Sequence, residues 1–201
     1  RGFLRQGVFE RADAHFGAIL FLVGHVRPGS RVVADQDHRE PRTHAVRGEF
    51  LRTLLEAGAK LLSQGVAIEK NIELTRTFPT EPLTDVYADP LRIKQVLSNL
   101  LSNAIKFTDI GSVSLTLQQS EGPDNDSVHY IIDVQDSGVG IDASQQAALF
   151  RPFSQAENRR AGTGLGLYIS RTICESMGGT LTLSSEKNVG TTVRATFTLP
   201  K

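Results

Sequence analysis

A chain of 201 residues with 39% hydrophobic and 22% charged side chains has the make-up of a globular domain, which excludes wholesale disorder. Twenty-two Lys and Arg balance 22 Asp and Glu, so the basic excess expected of a protein that lives on nucleic-acid phosphates is absent and no nucleic-acid partner is expected. The longest apolar run, Phe16 to Val23, is too short for a bilayer that needs roughly 20 residues, and the single cysteine, Cys174, excludes an internal disulfide. The chain opens at Arg1 without a leader pattern and reads as a fragment of something longer. A lone thiol suits a reducing, cytoplasmic setting, with anchoring of the parent protein in the inner membrane left open.

In chain order, the apolar stretch before Gly24 predicts a helix over about 8–24, followed by a turn-rich segment in which Pro41 disfavours helix. Phe50, Leu51, Leu54, Leu55 and Leu62 form a helical stripe. Val66, Ile68, Ile72 and Leu74 flank charged positions as in a strand. Asp89-Pro90 is a helix start, Asp as N-cap and Pro at the first helical position, and the helix runs to about Phe107. Ser112–Gln119 and Val128–Gln135 alternate as two strands around the turn 121–126. A short helix at about 142–149 follows, then a helix over Leu165–Ser176 closed by Gly178-Gly179, then a hairpin of Thr180–Ser185 and Thr191–Leu199. This order lacks strict βαβ alternation. It predicts an α+β, two-layer sandwich in which helices cover a mixed, mostly antiparallel sheet.

Three stretches carry chemistry. Asn99, Asn103 and Lys106 stand at i, i+4 and i+7 of the 91–107 helix and share one face, as polar as Val96, Leu97, Leu100, Leu101, Ala104 and Ile105 are apolar. Two amide oxygens and an ammonium suit Mg²⁺ and phosphates, since Mg²⁺ takes oxygen ligands and leaves positions for nucleotide oxygens; a merely solvated helix face has the same composition. Asp136-Ser137-Gly138-Val139-Gly140 follows a strand, and an ionised Asp, which only accepts hydrogen bonds, can read the exocyclic amine that distinguishes adenine; a plain turn accounts for these residues equally well. Gly162-Thr163-Gly164-Leu165-Gly166-Leu167 runs into a helix, where free N–H groups and the dipole favour an anion. Leu167 stands where a dinucleotide fingerprint needs its last glycine, and no Gly-Lys pair exists for a Walker loop. Arg159 and Arg160 lie just upstream, within reach of a terminal phosphate.

In combination, LSNLLSNAIKFT (97–108), DSGVGI (136–141), LFRPFSQ (149–155) and GTGLGL (162–167) resemble, in order and spacing, the N box, first glycine box, F box and second glycine box of the ATP-binding domain of bacterial sensor histidine kinases, with the hybrid two-component type especially similar. The resemblance covers about 47–201. It implies the sandwich shared with heat-shock chaperone, mismatch-repair and type II topoisomerase ATPases, the Bergerat ATP-binding fold, with residues 49–201 as that domain. Residues 1–48 are then a divergent segment, either a remnant of a helical dimerisation domain or a linker. The implied cofactors are ATP and Mg²⁺: Asn103 on the metal, Asn99 and Lys106 on the metal-bound phosphates, and Asp136 on the adenine amine with Gly138 and Gly140 shaping its loop. Phe150 and Phe153 would anchor a mobile lid, Gly162, Gly164 and Gly166 would let it hinge, with Thr163, Leu165 and Leu167 in the same loop, and Gly190-Thr191 would lie near the adenine. The implied partners are a histidine-bearing dimerisation domain and a response-regulator receiver domain, with a homodimer also open. The family's ATP hydrolysers carry Glu at the position of Asn99; asparagine is a poor general base, which favours transfer over hydrolysis.

Two departures stand out. Fewer than 50 residues precede Phe50, too few for the usual histidine-bearing hairpin, and His15 is the weak remaining candidate for the acceptor. Ser154 to Ala161 make a lid several residues shorter than is usual for the hybrid type. A degenerate nucleotide-binding or docking module that regulates a partner kinase is the alternative reading.

Overall fold

The structure, a computed structural model, describes residues 44–63, 70–154 and 163–201. The expected helix over 8–24, the strand-like Val66 and Ile68, and His15 lie outside them. Among the described residues seven strands and four α-helices follow one another: β1 (His44–Val46), α1 (Gly48–Ser63), β2 (Ile72–Thr77), β3 (Val86–Ala88), α2 (Pro90–Phe107), β4 (Gly111–Glu121), β5 (Ser127–Asp136), α3 (Ala143–Gln146), a 3₁₀ turn (Ala147–Phe150), α4 (Gly166–Ser176), β6 (Leu181–Glu186) and β7 (Gly190–Pro200). The large sheet runs β2-β4-β5-β7-β6, with β2 parallel to β4 and every other pair antiparallel. The predicted mixed, mostly antiparallel sheet with helices is therefore the one observed.

Register explains which face carries the core. Leu117, Ile132, Ala195 and Leu181 are successive partners across four strands, and all are buried. The next row, Thr116, Asp133, Arg194 and Thr182, points the other way and is half-buried or exposed. Strand side chains alternate with period two, so one face of Val, Ile, Leu and Phe meets the helices while the other, rich in Ser and Thr, meets water. An Asp133–Arg194 pair with bonds of 2.8 Å holds two strands together on that outer face.

The helix that carries the core is α2. Asp89 caps it, accepting from the N–H groups of Leu91 and Arg92, and Pro90 opens it as expected. Ile93, Val96, Leu97, Leu100, Leu101, Ala104 and Ile105 are all buried along one side. Burying a Leu or Ile contributes about 1.5–3 kcal/mol and intrinsic helix propensity only tenths, so this stripe fixes the helix's rotation. At its other end the Lys70 ammonium, ahead of β2, donates to the carbonyls of Ile105, Lys106 and Thr108 at 2.9–3.1 Å and pairs with Asp109 at 3.5 Å. A cation there meets the carbonyls that a helix C-terminus leaves without intrahelical partners, and the negative end of its dipole.

Two expectations need correction, and one pair of strands adds to them. The α1 stripe is narrower than its apolar residues: Leu51 and Leu55 are buried but Phe50 is 53% exposed, because it falls at the helix start and outside the buried stripe. The single short helix expected at 142–149 divides into one α-helical turn and a 3₁₀ turn. The antiparallel pair β1–β3 was not foreseen; three-residue strands are too short to show a period.

Replacing Lys70 by Met should leave α2 with carbonyls that no cation caps. Urea unfolding should show a loss of about 2 kcal/mol with an unchanged m-value, the worth of charge-assisted bonds to backbone oxygens.

Candidate nucleotide site

The side of α2 turned from its buried stripe carries Asn99, Asn103 and Lys106, all half-buried. Asn99 is held from the neighbouring helix: its amide nitrogen donates to the Ser170 hydroxyl at 2.9 Å. Ser170 is 1% exposed, and a buried hydroxyl needs a partner. Gly166, the first residue of α4, lies so close to Asn99 that a Cβ there would stand 2.1 Å from the amide oxygen. The N-terminus of α4 therefore abuts the middle of α2's polar face. Among the described residues no side chain caps α4, whose N-cap is Leu165, and N–H groups at a helix start favour an anion. The Asn103 amide takes no hydrogen bond among the described residues, and the Lys106 ammonium lies 5.0 Å from the centre of the Phe107 ring.

The segment 136–141 closes the other end. Val139 N–H donates to the Phe107 carbonyl at 3.3 Å. A Cβ on Gly138 would lie 2.4 Å from that oxygen, and one on Gly140, whose φ is +61°, 1.9 Å from the Glu186 carbonyl. What these glycines admit is thus protein backbone: the end of α2 on one side, the β6–β7 turn on the other. The Asp136 carboxylate accepts from Gly138 N–H at 2.9 Å. Burial pushes its pKa up from the ordinary carboxylate value, outweighing the pull of the Gly138 and Thr191 N–H groups. It is a partly desolvated acceptor that a further donor would stabilise.

The other predicted residues are distributed as follows. Phe150 packs against the core with the Arg171 guanidinium 5.5 Å from its ring centre. Phe153 is 75% exposed at φ +61°, so of the two expected anchors only Phe150 is packed. Gly164, at φ +69°, meets the Phe153 and Ser154 backbone at 2.7 Å from its would-be Cβ, which brings the F box against the second glycine box. Thr163 is exposed, its hydroxyl accepting from Leu165 N–H at 3.4 Å, and Leu167 packs partly against the core. Arg159, Arg160 and Gly162 lie outside the described residues. Reading the sequence missed Ser170, Ser185 and Lys70. Ser170 had left a signal: a hydroxyl in line with Gly166, Ile173 and Cys174 on the inward side of α4 must find a partner.

The second glycine box thus meets the polar face of α2, the first glycine box the end of that helix and the F box the second glycine box, and comparison with known proteins names them. The pattern of the family described as histidine kinase-, DNA gyrase B-, and HSP90-like ATPase matches residues 88–201, more than half of the chain. The chain belongs to that ATPase family. Over 181 residues it is 43% identical to the virulence sensor protein BvgS of Bordetella bronchiseptica, covering 88% of this chain and 14% of that protein. Full-length ShkA in complex with AMPPNP superposes with a TM-score of 0.67 at 31% identity, over 81% of this chain and 32% of ShkA. The catalytic domain of the histidine kinase ThkA, nucleotide-free, gives 0.60 at 27% identity, over 77% of this chain and 97% of that domain. The chain thus carries the ATP-binding catalytic domain of sensor histidine kinases while spanning a small part of its relatives' length. No helix among the described residues is long and apolar enough to cross a membrane.

The raised pKa of Asp136 has a consequence for stability. A carboxyl that holds its proton more tightly folded than unfolded costs stability as pH rises from its unfolded value through its folded one. Asp136→Asn, which keeps an oxygen for Gly138 N–H, should therefore raise the melting temperature at neutral pH. The gain should vanish below the ordinary carboxylate range, as thermal melts across pH would read.

Proposed function

We propose that this chain binds ATP with Mg²⁺ on the polar face of α2 and passes the γ-phosphoryl group to a histidine, for relay to an aspartate on a receiver domain. The reading rests on one observation: Asn99, Asn103 and Lys106 share a face bounded by an electron-rich acceptor, Asp136, at one end and by the N-terminus of α4 alongside. A nucleotide has that polarity, an amine on its base and anionic oxygens on its tail.

The donor set suits Mg²⁺. Among the described residues no three His, Cys, Asp or Glu side chains gather to cage an ion. A site that offers one amide oxygen suits an ion that arrives with phosphate oxygens and keeps its waters. Asn103 would hold it; when bound, it would neutralise charge on the phosphates. Asn99, oriented by Ser170, and Lys106 would position the phosphates, with Arg159 and Arg160 as further candidates. Gly164 and Gly166, with the N–H groups at the start of α4, would line the tail, and Thr191 the base. Transfer of this kind asks mainly for positioning and charge neutralisation, which these groups supply. The acceptor histidine belongs to a dimerisation domain, and the setting is cytoplasmic, with residues before the domain as its remnant or linker and the hybrid type favoured. The short lid, 154–161, favours the second reading, a docking module that regulates a partner kinase.

Calorimetric titration of the whole chain with a non-hydrolysable ATP analogue separates the two. Kinase function requires binding that strengthens with Mg²⁺, and Asn103→Ala should lose that dependence and at least about tenfold in affinity, as loss of one ligand to a charge implies. A folded chain that binds no nucleotide with or without Mg²⁺ would overturn the reading in favour of docking.

A further inference from the structure

The end of the sheet nearest the 136–141 segment carries a row that the roles above leave incomplete. Ser185, Thr191 and Asp136 are successive register partners on β6, β7 and β5, and buried Val113 continues the row on β4. Directly opposed residues point to the same face, so two hydroxyls and a carboxylate stand side by side on the face that holds the core.

The proton count in this row has one solution. Ser185 Oγ meets three groups: Ile141 N–H at 2.8 Å, the Gly190 carbonyl at 2.8 Å and Thr191 Oγ1 at 2.9 Å. A hydroxyl has one proton and two lone pairs. The Gly190 carbonyl can only accept, so the Ser185 proton lies there. Ile141 N–H takes one lone pair. The remaining lone pair faces Thr191, which must therefore donate. With its proton committed to Ser185, the Thr191 hydroxyl shows only lone pairs to a group held at Asp136. Gln146 secures the arrangement from outside, its amide nitrogen donating to the Ser185 and Ile141 carbonyls at 2.7 and 3.1 Å.

We propose that Ser185 determines base specificity at one remove: by fixing the Thr191 proton it makes Thr191 an acceptor beside the Asp136 carboxylate, and the paired acceptors select a purine with an exocyclic amine over one with a carbonyl at that edge. The inference rests on the nucleotide reading above and goes beyond it, because Ser185 touches no ligand in that reading. Without Ser185, the Thr191 hydroxyl turns freely and can donate to a guanine carbonyl.

The test measures Kd for ADP and for GDP with Mg²⁺, the latter by competition, in the wild-type chain and in Ser185→Ala, Ser185→Thr and Asp136→Asn, with urea unfolding of each. Ser185→Ala should narrow the ADP-over-GDP preference about five- to tenfold, the worth of one hydrogen bond, and Ser185→Thr should restore it. A residue that only props the loop would weaken both nucleotides alike, so an unchanged ratio in a folded Ser185→Ala overturns the proposal. Should that variant not fold, Thr191→Val asks the same question: it should weaken ADP and leave GDP unchanged, and equal loss of both overturns the proposal. Asp136→Asn keeps the failures apart. If it leaves ADP affinity intact, the adenine reading falls; if it abolishes binding while the Ser185 ratio stays fixed, only the specificity proposal falls.

Discussion

The burial of one side of α2 is the constraint on which the rest of this structure depends. Seven apolar side chains on the core side set its rotation, and truncating any one of the larger of them would cost about 2–5 kcal/mol. That cost far exceeds what the polar face gains or loses through its own contacts. Asn99, Asn103 and Lys106 therefore point where the core sends them, and the site inherits its geometry from packing. Caps at both ends serve the same purpose: Asp89 fixes where the helix begins, Lys70 where it ends.

The glycines extend that placement to the loops. Gly138 presses its backbone against the last carbonyl of α2, Gly140 against the β6–β7 turn, and Gly166 brings α4 against Asn99. At each point a Cβ would stand within 2.4 Å of another atom, well inside contact distance. Glycine-rich segments are commonly read as room for a ligand. In this chain the room is first taken by the protein itself, and the groups proposed to face a ligand, the Asp136 carboxylate and the N-terminus of α4, are what remains once the backbones have closed up.

Elements with a long period could be read in the sequence, and those without one could not. The stripe of α2, its Asp-Pro start and both hairpins of the large sheet appear in the residues because a dozen or more positions vote on each. The β1–β3 pair gives three positions per strand and no vote. The motif residues were legible as types and spacings. Their supports were not: Ser170 holds Asn99 across 71 positions, and Lys70 reaches α2 carbonyls across more than 30, separations at which no local pattern links donor to acceptor. The exposure of Phe50 was hidden for the opposite reason, since an apolar residue beside a stripe looks like part of it until the helix is seated.

The support of Asn99 also bears on which chemistry the site favours. Its amide nitrogen is bonded to Ser170 and its oxygen lies against Gly166 at the mouth of α4. Neither atom accepts a proton near neutral pH, so this position can orient a phosphate or a water but cannot activate one. The carboxylate whose pKa burial has raised, Asp136, lies beyond Phe107, eight residues along α2 and thus about 12 Å from Asn99 along the axis. It stands at the end that the proposed reading gives to the base. On the reading proposed above, the two ends would divide recognition from positioning, the positioning end being built from an amide and backbone N–H groups. On that reading, a site so equipped would hold a phosphoryl group steady for an acceptor brought from elsewhere, and the lack of a general base at Asn99 is the physical reason to favour transfer over hydrolysis.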